Sequence, residues 1–176
     1  AFNGDIKEGL KTALNGNTTT QVQALKLCAE RRISEVSEQV FSMLRSENEN
    51  VKDAAYDALP SVVVLSDFDR LSGLLESSEK RYIAKLQAAL KSAVKSQSSE
   101  KQYETVASHM TKSSSPSFYY PILAQTNTPE AIRLLNDEFS KKGEDAAFKA
   151  LLEIDHPQMI DVLYRIAGEK NALKEA

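Results

Sequence analysis

The sequence predicts an all-α fold assembled from stacked helix pairs. Three observations carry that expectation. Apolar residues recur at three- and four-residue spacing almost throughout the 176 residues, which puts them on one face of successive helices. Six Gly leave few positive-φ turns, and no segment alternates apolar and polar residues as a half-buried strand does. The chain also repeats itself at a shift of 31 residues, room for two helices of ~11–13 residues with two tight turns.

The elements follow in order. Ile6, Leu10, Ala13 and Leu14 mark a first helix, and Thr18 to Thr20 are expected to cap a second carrying Val22, Leu25, Leu27 and Cys28. Ser34 to Leu44 forms a third, with Val36, Val40, Phe41 and Leu44 on one face. Asn50 is expected to cap a fourth, which Pro60 ends or kinks. The run from Pro60 to Leu65 has strand propensity, but its neighbours make it a helix end and turn. Ser66 or Asp67 caps the next helix, and Ser78 caps a long one from about Glu79 to about Lys95. Tyr103, Val106 and Met110 mark another. Ser115-Pro116, Thr128-Pro129 and His156-Pro157 each read as an N-cap followed by Pro at the first helical position. Gly143 precedes a helix with Ala147 and Leu151, and Met159 to Ile166 lies on the last, with Lys170 to Ala176 frayed.

At the shift of 31, Leu44 falls on Leu75, Val51 on Tyr82, Ala58 on Ala89 and Leu59 on Leu90. One period earlier, Phe41 falls on Leu10, Ala55 on Ala24, Tyr56 on Leu25 and Leu59 on Cys28. A further instance at a shift of 92 sets Ala55, Tyr56, Ala58 and Leu59 on Ala147, Phe148, Ala150 and Leu151. One helix pair cannot bury its own apolar stripe, so pairs must stack. Alanines recurring in the second helix of each pair are expected to let helices approach closely.

The segment Glu49-Asn50-Val51-Lys52-Asp53-Ala54-Ala55-Tyr56-Asp57-Ala58-Leu59 resembles the second helix of a HEAT-like repeat of the phycobilisome-lyase type. That pattern is an Asn/Asp-rich turn, then Val-Arg, Ala-Ala and Ala-Leu; Lys52 stands where Arg is usual. Ser78 to Leu90 resembles it more loosely. The resemblance implies a right-handed α-α superhelix, an α-solenoid, of about five to six pairs. It implies no lyase chemistry and transfers no functional residue. Residues 1–176 are read as a single repeat domain with an irregular Ser-rich junction around 96–117.

Composition narrows function further. The net charge is −3, and residues 1–88 hold 11 basic and 13 acidic groups, so no overall basic field favours nucleic acid. The lone Cys28 cannot close an internal disulfide, and its place on an apolar stripe makes it a small core hydrophobe. His109 and His156 stand 47 residues apart without local ligand spacing, and are read as surface or capping residues. Asp67 and Asp69, two apart, do not share a helical face. Asn17-Thr18-Thr19 fits a glycosylation sequon, but capping accounts for it. No catalytic, cofactor or metal residue is assigned, and the chain alone is expected not to be an enzyme.

Charge concentrates once. Arg81, Lys85, Lys91 and Lys95 fall on the side of the long helix opposite Ile83, Leu86, Leu90 and Val94. These four are the candidate interaction surface, for an acidic partner or a polysaccharide. The expected function is a non-enzymatic scaffold that binds a protein or a neighbouring domain of the same polypeptide. The alternatives are an accessory domain of a larger exported bacterial carbohydrate-active enzyme and a helical-repeat enzyme acting on nucleic acid, such as a DNA glycosylase. The start at Ala-Phe-Asn reads as a removed leader or a piece of a longer protein, in keeping with export from a bacterium. No apolar run approaches the ~18–20 residues of a membrane helix.

Overall fold

The computed structural model describes residues 6–175, with side chains placed for 8–168. It is all-α: among the described residues there are eleven α-helices and no strand. They are α1 (Ile6–Leu14), α2 (Thr18–Arg31), α3 (Ser37–Met43), α4 (Glu49–Val62), α5 (Phe68–Ser77) and α6 (Ile83–Val94), then α7 (Ser99–Met110), α8 (Tyr120–Thr126), α9 (Pro129–Lys142), α10 (Asp145–Leu151) and α11 (Met159–Glu175). Two compact units divide at Ser96/Gln97.

In the first unit, α1 packs on α2, α3 on α4 and α5 on α6, and α4 packs against both α2 and α6. The residues matched at 31 explain this arrangement. Leu10, Ala24, Leu25, Cys28, Phe41, Leu44, Val51, Ala55, Tyr56, Ala58, Leu59, Leu75, Tyr82, Ala89 and Leu90 are all buried. Each large apolar side chain removed from water stabilises the fold by about 1.5–3 kcal/mol before entropy is counted. The second-helix alanines divide by position. Ala55, Ala58 and Ala89 are buried, whereas Ala54 and Ala88 are half-buried.

In the second unit, α7 packs on α8, α9 on α10, and α8 on α10. Ala147, Ala150 and Leu151 are buried as their repeat positions require, and Phe148 is half-buried against Phe139 at 4.9 Å between ring centres. Helix α7 fills much of the Ser-rich stretch and leaves 96–98 and 111–115 irregular. Its N-terminus is capped by Ser98, whose Oγ accepts from the Lys101 N–H at 3.5 Å.

Several helix starts differ from expectation. The cap of α2 is Asn17, whose Oδ1 accepts from the Thr20 N–H at 3.1 Å. The cap of α4 is Asn48 rather than Asn50: its Oδ1 accepts from the N–H groups of Asn50 and Val51 at 3.1 and 3.3 Å. Ser78 does not cap α6. A 3-10 turn, Lys80–Tyr82, intervenes, and the Ser78 hydroxyl sits 3.2 Å from that of Tyr56. Similar 3-10 turns precede α3 (Ser34–Val36), α5 (Leu65–Asp67) and α8 (Pro116–Tyr119). The first two of these are themselves 31 residues apart. Asp67 caps backward, accepting from the Val64 N–H at 2.9 Å. Helix α11 begins two residues after Pro157 and continues to Glu175, past the expected fraying point, while Ala176 lies outside the described residues.

Pro60 lies inside α4, near its end. Proline has no N–H to offer the Tyr56 carbonyl, yet its fixed φ is helical and the helix runs on to Val62. The Val63 N–H then closes the last turn on the Leu59 carbonyl at 3.1 Å. Thr128 and Pro129 start α9 as expected, with Thr128 Oγ1 accepting from the Ala131 N–H at 3.1 Å. Gly143 serves the end of that helix, closing it at φ 69°.

The cap assignment is testable by urea unfolding. Asn48→Ala should cost about 1 kcal/mol, while Asn50→Ala should stay within about 0.5 kcal/mol of the parent. Equal losses would show that Asn48 is not the working cap.

Candidate functional site

The four basic residues singled out by charge do not share one environment. Arg81 lies in the 3-10 turn ahead of α6, with its guanidinium 4.6 Å from the centre of the Tyr82 ring. It bonds back to α4, donating through Nη2 to Glu49, and locally through Nε to Glu79 at 3.0 Å. Its Nη1 is 3.9 Å from Asp53. Lys85, on α6, pairs with Asp57 of α4 at 2.5 Å. Lys91 is half-buried late in α6, and Lys95 is exposed just beyond its end.

Glu49, Asp53 and Asp57 are four residues apart along α4, so they form one row on that helix. Glu49 also accepts from Lys52 at 2.6 Å. The hydrogen bonds from Lys52 and then Arg81 hold the Glu49 carboxyl below its ordinary range, and Glu49 in turn holds Arg81 firmly protonated. The middle carboxylate, Asp53, accepts from the Tyr82 hydroxyl at 2.6 Å. Burial, and secondarily this bond, push the Tyr82 phenol above its ordinary value. The Tyr82 ring is stacked on that of Tyr56, with centres 3.7 Å apart and planes 7° from parallel. A matching bridge joins α5 to α3, where Arg70 donates to Glu38 at 2.9 Å and lies over the Phe41 ring at 4.0 Å. The partners are 28 to 32 residues apart, one period give or take a turn of helix.

Beside this row lies a solvent-open groove of about 600 Å³ between α2 and α4. Val22, Leu25, Ala29, Ala54 and Ala58 supply its apolar surface, and Asp53 and Asp57 stand on its rim. Those two carboxylates are already engaged by Tyr82 and Lys85 on α6. The groove therefore combines this apolar surface with charged residues of both helices: Asp53 and Asp57, held by α6, and Lys26 and Glu30 of α2.

The remaining candidates fall into structural places. Cys28 is fully buried, and desolvation pushes its thiol up, away from thiolate chemistry. His109 Nδ1 lies 2.9 Å from the Thr105 carbonyl one turn back in α7. His156 Nδ1 accepts from the Gln158 N–H at 3.2 Å in the turn before α11. Asn17 spends its side-chain oxygen on its cap. Among the described residues, no three His, Cys, Asp or Glu gather as a metal site, and no helix is long and apolar enough to cross a membrane. Comparison with family models, with curated proteins and with solved structures gave no match.

Neither the groove nor the bridging role of Arg81 and Lys85 was read from the sequence. A signal for the bridges was present. The shift of 31 sets Glu49 on Lys80, next to Arg81, and Ala54 on Lys85, about one helical turn from Asp57. Placing charges on a single helical wheel missed a pairing that runs between units.

The bridges predict unequal responses to charge reversal. Arg81→Glu with Lys85→Glu sets new carboxylates against Glu49, Asp53 and Asp57, and should lower the urea midpoint; Lys95→Glu should leave it within error. The acid response follows from Glu49. Its folded pKa is depressed, so its contribution is complete above the unfolded carboxylate value of about 4.3 and fades as pH falls through the folded value. The stability gap between the parent and Glu49→Gln should shrink between pH 5 and pH 3, by about one Debye–Hückel-screened surface pair's worth at most. A gap that stays constant over that range would remove the ionic role of Glu49.

Proposed function

We propose that this chain is a non-enzymatic interaction scaffold, a stack of HEAT-like helix pairs that displays the groove between α2 and α4 to a segment of another protein or to a neighbouring domain of its own polypeptide. The observation that carries this reading is the groove itself, about 600 Å³, with apolar residues from both helices and with Asp53 and Asp57 held by α6. Val22, Ala29 and Ala54 are half-buried there, so a docked apolar edge gains contact without displacing a core side chain. Support for the HEAT-like arrangement comes from the burial of residues matched at 31 and from α4 packing on both α2 and α6. Stacked pairs hold such a groove in shape, which limits the ordering cost of binding.

A photo-crosslinking amino acid at position 54, in the full chain exposed to an extract of its own host, tests this. A discrete adduct is expected from position 54, absent from a control at exposed Arg133, and lost when Ala29→Trp fills the groove. The absence of an adduct at 54, or one that survives Ala29→Trp, overturns the reading.

A further inference from the structure

Four charged residues line the groove between α2 and α4: Lys26 and Glu30 on α2, Asp53 and Asp57 on α4. Tyr82 and Lys85 already hold the two aspartates. Lys26 and Glu30 are exposed, and neither side chain makes a hydrogen bond or an ion pair among the described residues. They stand one turn apart on one helix face, yet they do not pair. Their order accounts for this. An acid one turn before a base pairs better along a helix than the reverse. Glu49 before Lys52 and Asp137 before Lys141 follow the favoured order and do pair. Lys26 before Glu30 has it reversed.

The repeat explains why α4 supplies no partners for them. Where α6 meets α4, Arg81 and Lys85 reach across to Glu49 and Asp57. One period earlier those positions are Asn50 and Ala54, which carry no charge. The crossing that α6 makes to α4 is therefore not made from α4 to α2. The open space and the two unmatched charges have this one cause.

The form of an occupant follows from the walls. Both are helices, whose backbone groups bond within themselves, so the groove offers an incoming chain few main-chain partners. An extended segment laid there would take its own amides out of water without replacement. A helix brings its backbone bonds with it.

We infer that the occupant of this groove is an amphipathic helix whose apolar edge carries an acidic and a basic residue about one turn apart, the acid facing Lys26 and the base facing Glu30. This gives the scaffold reading its partner chemistry and rests on that reading.

The probes are three synthetic amphipathic peptides of Leu, Ala and Gln. They differ only at two positions, four residues apart at the border of the apolar face: Glu and Lys in the first, Gln and Gln in the second, Glu and Glu in the third. Fluorescence anisotropy at low salt reads their binding to the full chain. The parent is expected to bind the Glu/Lys peptide about fivefold more tightly than either of the others. In Glu30→Lys the Glu/Glu peptide should become the tightest, and Lys26→Gln with Glu30→Gln should bind all three alike. Ala29→Trp, which fills the groove, should weaken all three. Leu27→Asp, in a smaller groove of about 370 Å³ along α1 and α2, should weaken none. Lys26, Leu27 and Glu30 are exposed positions, and circular dichroism confirms that every variant folds. No binding of any peptide, equal affinities in the parent, loss of binding in Leu27→Asp, or a preference that Glu30→Lys leaves unchanged overturns the inference. Equal affinities that Ala29→Trp still abolishes would do so while sparing the scaffold reading, which the adduct at position 54 decides separately.

Discussion

Helix α4 must satisfy two neighbours at once, and much of the first unit follows from that. A helix packed on one side needs a single apolar stripe, and the opposite face can be polar. Helix α4 packs on α2, α6 and its own partner α3, so its buried residues spread over Val51, Ala55, Tyr56, Ala58, Leu59 and Val62. Small residues are needed where backbones come close and large ones where space opens. Tyr56 is the largest of these, and the parallel ring of Tyr82 covers it. The same demand on α6 places Ala89 and Ala93 among Leu86, Leu90 and Val94.

The charges then fix how one pair sits on the next. Exposed ion pairs contribute only about 0–1 kcal/mol each, so the bridges from Arg81 and Lys85 to α4 are minor in the stability of the core. Their effect is on register. Sliding α6 by one turn along α4 moves it about 5.4 Å, which would separate Arg81 from Glu49, Tyr82 from Asp53 and Lys85 from Asp57 together. Apolar packing among Ala and Leu residues is more permissive of such a slip, because neighbouring turns present similar surfaces. The Tyr82 hydroxyl is the most selective of the three contacts, since its ring is buried and its hydroxyl donates to Asp53 at 2.6 Å.

How far the sequence revealed this depends on the kind of information. Burial at the matched positions was legible because the repeat samples one environment several times, and the same residue classes recur at Ala55/Ala24, Ala58/Ala89 and Leu59/Leu90. Helix starts were less legible. Asn48 and Asn50 are both good caps, and only the backbone decides between them. The 3-10 turns ahead of α3, α5, α6 and α8 were invisible, because a spacing of three serves an α-helix as well as a 3-10 turn. The groove between α2 and α4 was not legible either. It arises from what two helices leave unfilled, and no residue of its lining departs from the ordinary helical pattern.

The two grooves of the first unit differ for a reason rooted in side-chain size. Between α2 and α4 the space is left by small residues on two helices already in contact, so Ala29 and Ala54 set its depth while Leu25 and Ala58 remain part of the core. Along α1 and α2 the space lies where no described helix of the first unit stands. Exposing Leu27 there has a cost in water that a polar residue would avoid, and Gly9 weakens a helix of only nine residues. Neither choice improves the isolated unit. Both become favourable when another surface arrives, because the leucine then loses its contact with water and the glycine admits a close approach.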